Sequence, residues 1–195
     1  MDRRSFFRRA AGKTTELAVG EAQRRARARL RWLRPPYAAD ELEFLLACTR
    51  CGACVEACPQ GVIFALPPRL GAQVMGTPAL DLTWRGCQMC ADWPCVAACE
   101  PGALALPEVS EPGEYPLPRL ASVQVDPDAC LPYGGPECGA CRDSCPVPGA
   151  MRWEMERPTV DPLTCVGCAL CREACIVEPK AITVARRNPE ERVGK

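Results

Sequence analysis

The sequence contains no histidine and few aromatic residues, and these two absences exclude several classes of protein. Without histidine the chain cannot attach haem through Cys-x-x-Cys-His, form a mixed cysteine–histidine zinc finger or a Rieske centre, or use an imidazole as an acid or base. Phe, Trp and Tyr make up only 6% of the 195 residues, too few to fill a large conventional core. Bound inorganic groups are therefore expected to complete the core, and the chain should fold poorly without them.

The charges are balanced overall but are divided unevenly along the chain. Residues 1–34 carry eleven basic and three acidic side chains, a net charge of +8, whereas the remainder carries thirteen basic and twenty-one acidic ones, a net charge of −8. An acidic body with a basic tail is suited to electrostatic docking on protein partners. The acidic surplus argues against nucleic-acid binding.

The amino-terminal residues 1–35 form a basic tail with an incomplete export motif. Residues 2–8, Asp-Arg-Arg-Ser-Phe-Phe-Arg, resemble a twin-arginine signal. Such a signal needs an apolar region of about 7–15 residues, but the longest uncharged stretch between residues 9 and 21 is limited to residues 17–20. We therefore expect a cytoplasmic protein, with periplasmic export as the alternative. A basic helix predicted over residues 14–34 could also associate with an anionic membrane surface, or form a solvated arm.

Cysteine is the abundant residue, and its first run has the spacing of a bacterial iron–sulfur protein. The run consists of Cys48, Cys51, Cys54 and Cys58. Its gaps are two, two and three residues, and a proline comes directly after it. A loop that turns at Gly52 lets the first three thiolates bind one cluster, whereas the fourth, a turn of helix further on, reaches a second cluster.

The chain repeats this arrangement four times, at residues 48–58, 87–99, 130–145 and 165–175. The predicted cluster ligands are Cys48, Cys51, Cys54, Cys58, Cys87, Cys90, Cys95, Cys99, Cys130, Cys138, Cys141, Cys145, Cys165, Cys168, Cys171 and Cys175. Disulfides would not repeat a ligand spacing four times, and zinc ribbons place two cysteine pairs on separate hairpins. The pattern therefore predicts four [4Fe–4S] clusters, bound through iron.

Short apolar segments before and after the runs predict strands. They are residues 62–66, 80–84, 103–106, 122–126, 150–153, 159–161 and 181–184. A helix should also begin after Asp40, which can cap residues 41–46. Half of a two-cluster ferredoxin consists of a strand, a ligand loop, a short helix and a second strand, in that order. Residues 36–195 are therefore predicted to be an α+β region of tandem two-cluster, bacterial-ferredoxin-like modules.

Spacing alone leaves two ways of pairing the four runs. Neighbouring runs could pair in order, the first with the second and the third with the fourth. A nested arrangement, the second with the third and the first with the fourth, is equally buildable. We slightly favour nesting, because the four-residue gap between Cys90 and Cys95 resembles the second motif of iron–sulfur subunits of molybdoenzymes.

The sequence predicts an electron carrier and not an enzyme. It contains no Gly-x-Gly-x-x-Gly after a strand, no Walker loop and no radical-enzyme Cys-x3-Cys-x2-Cys run. All sixteen cysteines are used by the four runs, so no thiol is left as a nucleophile. Each predicted cluster has four ligands and offers a substrate no open iron.

Several segments, spread over residues 34–185, together resemble ferredoxin-type NapG/MauM proteins, and the first and third runs are also similar to NapF. The segments are residues 34–36, 44–51, 75–78, 87–99, 130–138 and 174–178. The resemblance implies a relay of single electrons between a membrane quinol dehydrogenase and a terminal reductase, molybdoenzyme or cytochrome. The alternative that it implies is a NapF-like cytoplasmic accessory protein for maturing a molybdoenzyme such as nitrate reductase.

Overall fold

The structure, a computed structural model, describes residues 32–109 and 115–187. The twin-arginine-like segment and most of the helix predicted over residues 14–34 lie outside these ranges. The last residues of that predicted helix are described and are extended, because the Leu80 N–H donates to the Leu33 carbonyl over 2.8 Å in an isolated β-bridge. The helix prediction is therefore wrong for residues 32–34.

The described residues form short helices and short antiparallel strands. The α-helices are α1 (Glu41–Ala47), α2 (Ala53–Glu56), α3 (Pro94–Ala97), α4 (Leu131–Gly134) and α5 (Leu170–Ala174). The strands are β1 (Ile63–Ala65), β2 (Pro78–Leu80), β3 (Ser122–Val125), β4 (Met151–Glu154), β5 (Arg157–Val160) and β6 (Ile182–Ala185). Two 3-10 turns, Pro68–Leu70 and Arg142–Ser144, complete the set. This small mixed content agrees with the predicted α+β class.

Residues 32–109, which we call the first half, contain one hairpin and one bridge between their ends. Strands β1 and β2 pair antiparallel with Ile63 opposite Leu80, and Ala38 bridges Leu104. The strand predicted over residues 103–106 is reduced to that bridge. The strand predicted over residues 80–84 ends at Leu80, because Asp81 accepts the Thr83 N–H and turns the chain.

Residues 115–187, the second half, repeat this order with longer strands. Strands β3 and β6 pair the two ends, with Ser122 opposite Ala185. Strands β4 and β5 form the internal hairpin, with Met151 opposite Val160. The β-branched residues of β3 and β6 favour extended backbone on a half-buried face. Here the strands predicted over residues 122–126, 150–153 and 181–184 agree with the structure within one or two residues.

The apolar core consists of two clusters, and the larger one, mostly in the first half, also includes Leu120, Ala121 and Ala169 of the second half. In the first half Phe44 and Leu104 are almost fully buried, together with several cysteines. In the second half Val123 and Ile182 pack with Cys141 and Cys171. Cysteine side chains are thus part of both apolar clusters.

A buried ion pair fixes the start of the first half. The Arg34 guanidinium donates to the Glu41 carboxylate at 2.6 and 2.9 Å, to the Thr77 hydroxyl at 2.9 Å and to the Pro78 carbonyl at 2.7 Å. The two charged side chains are only 8% and 5% exposed, and the guanidinium lies 4.4 Å from the centre of the Phe44 ring. Glu41 opens α1 directly after Asp40. Asp40 occupies the predicted N-cap position but makes no side-chain capping hydrogen bond.

In residues 32–109 and 115–187, no helix combines the length and the hydrophobicity that crossing a membrane requires.

Candidate cluster-binding sites

The ligand loops begin with the turn that the sequence predicts. Gly52 has φ of 82° and Gly167 has φ of 77°, both in the left-handed region that favours glycine. Each is followed within a few residues by a single turn of helix, α2 or α5, that separates the third cysteine of its run from the fourth. Gly139 follows Cys138 as Gly52 follows Cys51, but it does not adopt a positive φ.

The structure gathers the sixteen cysteines into four sets of four. Site 1 contains Cys48, Cys51, Cys54 and Cys99, site 2 contains Cys87, Cys90, Cys95 and Cys58, site 3 contains Cys130, Cys138, Cys141 and Cys175, and site 4 contains Cys165, Cys168, Cys171 and Cys145. In each set three cysteines come from one run and the fourth is the last cysteine of another run. Every residue predicted to be a ligand therefore lies in one of these sets.

This grouping corrects the pairing that the sequence slightly favours. The last cysteines of the first and second runs are exchanged between sites 1 and 2, and those of the third and fourth runs are exchanged between sites 3 and 4. Neighbouring runs therefore pair, and the nested arrangement is wrong. The physical reason is that the hairpin of each half turns the chain back within that half, so α2 packs against α3 instead of a distant run.

The four sites surround spaces of similar size and similar chemistry. The four spaces are alike in volume. The walls of sites 3 and 4 are apolar throughout, and among the described residues no carboxylate lines any of the four. Four soft thiolate donors in an apolar setting are the ligand set of an iron–sulfur cluster.

A site for a single metal ion would have a different geometry. In the described part of the chain, no three cysteine or carboxylate side chains lie close enough to bind one metal ion together. The thiols of each set instead lie around a shared space. The residues present therefore fit a group with several metal atoms, in which each thiolate binds its own iron.

Burial raises the pKa of several of these thiols when iron is not bound. It raises the pKa of Cys54, Cys87 and Cys141 to about 11, and the pKa of Cys95 and Cys171 to about 12, with neighbouring thiolates contributing in the same direction. Because metal binding requires thiolates, loading these sites must release protons. Metal cations compensate the repulsion among four thiolates.

Cys51 differs from the other ligands because it is exposed. A hydrogen bond from the Ala53 backbone lowers the pKa of this thiol. At the same site the Leu104 N–H donates to the Cys99 sulfur over 3.3 Å. Hydrogen bonds to sulfur and solvent exposure both tune cluster potentials. The role of Leu104 was not visible in the sequence, since an amide donor depends on backbone position and not on residue type.

A larger cavity lies away from the cysteines. It is lined by Trp32, Tyr37, Arg119 and several prolines. The Tyr37 ring separates it from site 2, because this ring packs edge-on against Trp93 with 4.8 Å between the ring centres, and Trp93 lines that site. No cysteine belongs to its lining, so it is not a candidate for cluster binding.

Comparisons with known proteins place the chain among ferredoxin-type proteins. The family model described as a 4Fe-4S binding domain matches residues 46–64. The chain is 37% identical over 165 residues to the methylamine utilization ferredoxin-type protein MauM of Methylobacillus flagellatus, a match that covers 80% of this chain and 69% of that protein. It is 37% identical over 199 residues to the ferredoxin-type protein NapG of Escherichia coli (93% and 84% covered). It is 33% identical over 150 residues to the ferredoxin-type protein NapF of the same organism (74% and 80%). No solved structure matches the chain.

Proposed function

This chain belongs to the family of ferredoxin-type NapG and MauM proteins, and we propose that it relays single electrons through four [4Fe–4S] clusters. It is an iron–sulfur electron-transfer protein of the 4Fe-4S ferredoxin type and not itself an enzyme. The proposed number of four clusters is supported by the grouping of all sixteen cysteines into four sets of four around similar spaces. Each half is then a two-cluster ferredoxin-like module, and the two modules stand in tandem.

The chain's own residues prepare these sites for electron transfer. When bound, a [4Fe–4S] cluster accepts and releases one electron at a time. The four thiolates of each site supply one ligand for each iron and leave no iron open to a substrate. The walls of sites 3 and 4 are apolar and place the thiolates in surroundings of low polarity.

The partners are proposed to be redox proteins. A membrane quinol dehydrogenase that oxidises quinol through iron–sulfur groups would supply the electrons, and a terminal reductase, molybdoenzyme or cytochrome would accept them. This assignment is supported by the family, whose members include proteins named for methylamine utilization. It is also supported by the net charge of −8 on residues 35–195, which favours docking on a basic protein surface.

Metal analysis and redox titration test this proposal. Protein reconstituted anaerobically with iron and sulfide should hold about sixteen irons and about sixteen sulfides, four of each for every cluster. Potentiometric EPR should then show potentials that a quinol can reach. A content of about two zinc ions without sulfide would overturn the cluster assignment. Potentials far below those of quinols would remove the quinol dehydrogenase as the donor.

A second function is favoured by the similarity to NapF. The chain covers 80% of that relative, and we propose as the alternative a cytoplasmic accessory role in maturing a molybdoenzyme such as nitrate reductase. The two roles differ in the partner that is bound. A tagged, cluster-loaded chain that captures only the apoprotein of a molybdoenzyme, and not the cofactor-loaded enzyme, would support maturation. Equal capture of both forms, with electron transfer to the loaded enzyme, would support the relay.

A further inference from the structure

The two halves touch at the backbone of two cluster-binding loops. The Cys87 N–H, in site 2, donates to the Cys168 carbonyl, in site 4, over 2.8 Å. Both residues are buried. One hydrogen bond therefore joins a ligand of the first half to a ligand of the second half.

Neighbouring contacts hold these two loops together. The Gly86 N–H donates to the Glu173 carboxylate over 2.8 Å, and the Arg172 guanidinium donates to the Thr83 carbonyl over 3.0 Å. Both contacts join the segment before Cys87 to helix α5, which carries the third cysteine of site 4. This part of the contact between the halves joins the loops of sites 2 and 4, and a separate hydrogen bond joins the halves from the Tyr37 hydroxyl to the Pro116 carbonyl over 3.2 Å.

Gly86 lets the backbones approach this closely. A Cβ atom added to Gly86 would lie 2.7 Å from the Leu170 nitrogen and 2.9 Å from the Cys168 carbonyl oxygen. Both distances are too short for a side chain, and both neighbours are backbone atoms that cannot swing away. Glycine is needed here for the close approach and not for an unusual φ, since its φ is not in the positive range.

We propose, on the basis of the proposed relay function, that electrons cross between the halves at the contact of Cys87 with Cys168, so that the sites are used in the order 1, 2, 4, 3. In this crossing one electron would pass from the cluster that Cys87 and the other cysteines of site 2 would hold to the cluster that Cys168 and the other cysteines of site 4 would hold. No bond forms or breaks, and no proton needs to move. The order along the chain is therefore different from the order in space.

The burial of the ligands agrees with this order independently. Sites 2 and 4 each contain two buried cysteines, whereas sites 1 and 3 each contain one, and site 1 includes the exposed Cys51. Inner positions of a relay need protection from solvent, and terminal positions need to be approached by partners. Partner proteins are therefore expected to dock near site 1 and near site 3.

Deleting single sites tests the order. In the full-length, reconstituted and fully reduced protein, neighbouring paramagnetic clusters split each other's EPR signals, and this interaction falls with the cube of their separation. Cys90→Ala should remove site 2 and leave site 1 without a neighbour, so about a third of the remaining spins should give an unsplit signal. Its matched control, Cys51→Ala, should remove terminal site 1 and leave sites 2, 4 and 3 coupled, with no unsplit signal.

The outcomes separate the order from the relay function itself. An unsplit signal in Cys51→Ala, or equal spectra for the two variants, would overturn the order 1, 2, 4, 3 while leaving four clusters in place. A wild-type protein that binds no iron and sulfide would instead overturn the proposed function. Cys168→Ala and Cys138→Ala decide which site of the second half lies next to site 2, because the order 1, 2, 3, 4 would give the same spectra for Cys90→Ala and Cys51→Ala. Cys168→Ala should isolate site 3, and Cys138→Ala should leave no site isolated.

Two glycine substitutions test whether electron transfer depends on the contact between Cys87 and Cys168. Gly86→Ala should keep the iron content and the potentials but slow electron exchange between the halves severalfold, because the two backbones must separate. Gly134→Ala makes the same change at the end of α4, where nothing lies within 4 Å of the added atom, and it should leave the exchange unchanged. Equal exchange rates in the two variants would show that the crossing does not depend on this contact.

Discussion

Replacing Cys58 by alanine tests whether ligands cross between neighbouring runs. Cys58 belongs to the first run but lines site 2 with Cys87, Cys90 and Cys95. Without it one iron of that site loses its thiolate, so the cluster should be lost. The iron content should then fall by at most about four of about sixteen atoms. Site 1 keeps its four cysteines and should be unchanged.

EPR difference spectra identify which site is damaged. Subtracting each variant's spectrum from that of the wild-type protein gives the signal of the lost cluster. The Cys58→Ala difference should match that of Cys90→Ala, which removes another ligand of site 2, and should not match that of Cys51→Ala, which removes a ligand of site 1. The mirror variant Cys99→Ala should match Cys51→Ala. If the Cys58→Ala difference matched that of Cys51→Ala, the exchange of ligands between neighbouring runs would be refuted.

Two further predictions concern the start of the first half and the tail. Arg34→Met leaves the Glu41 carboxylate buried without its partner, which costs about 3–5 kcal/mol, so clusters should be lost in urea much faster than from the wild-type protein. The double variant Arg34→Met/Glu41→Leu removes both charges and should lose its cluster absorbance more slowly than the single variant; equal rates would contradict the importance of the ion pair. Residues 1–34 fused to a folded reporter should leave it in the cytoplasm, because the uncharged run at residues 17–20 is short, and a periplasmic reporter would contradict this expectation.

The ligands could be read from the sequence because their arrangement is local. Three cysteines two residues apart must lie within one short loop, and a fourth after a turn of helix must point elsewhere. Most strands were also predictable, since β-branched runs such as that of β6 are short, apolar and bounded by turns. The prediction at residues 80–84 is wrong because the side chain of Asp81 competes with the strand for the Thr83 N–H.

The pairing of runs could not be read in this way because it depends on long-range contacts. Both pairings satisfy the ligand spacing equally, and the spacing of the second run favoured the wrong one. The hairpin within each half decides between the two pairings. It pairs Ile63 with Leu80 in the first half and Met151 with Val160 in the second, and so brings each run next to the neighbouring run of the same half. In the first half the paired strands are separated by residues 66–77, whose path no local pattern specifies.

One feature of the sequence is related to the contact at Gly86. The first cysteines of the other runs come after Ala47, Ala129 and Thr164, and only Cys87 comes after a glycine. A glycine at that position has no role in binding a cluster, because its φ is not positive and it lies before the ligand loop. The structure gives this difference a physical meaning, because the Cys168 carbonyl oxygen lies only 2.9 Å from where a Cβ would be. When repeats share a ligand spacing, the residues at which they differ therefore determine how the repeats pack against each other. In this chain Gly86 is such a residue, because it allows sites 2 and 4 to lie close together.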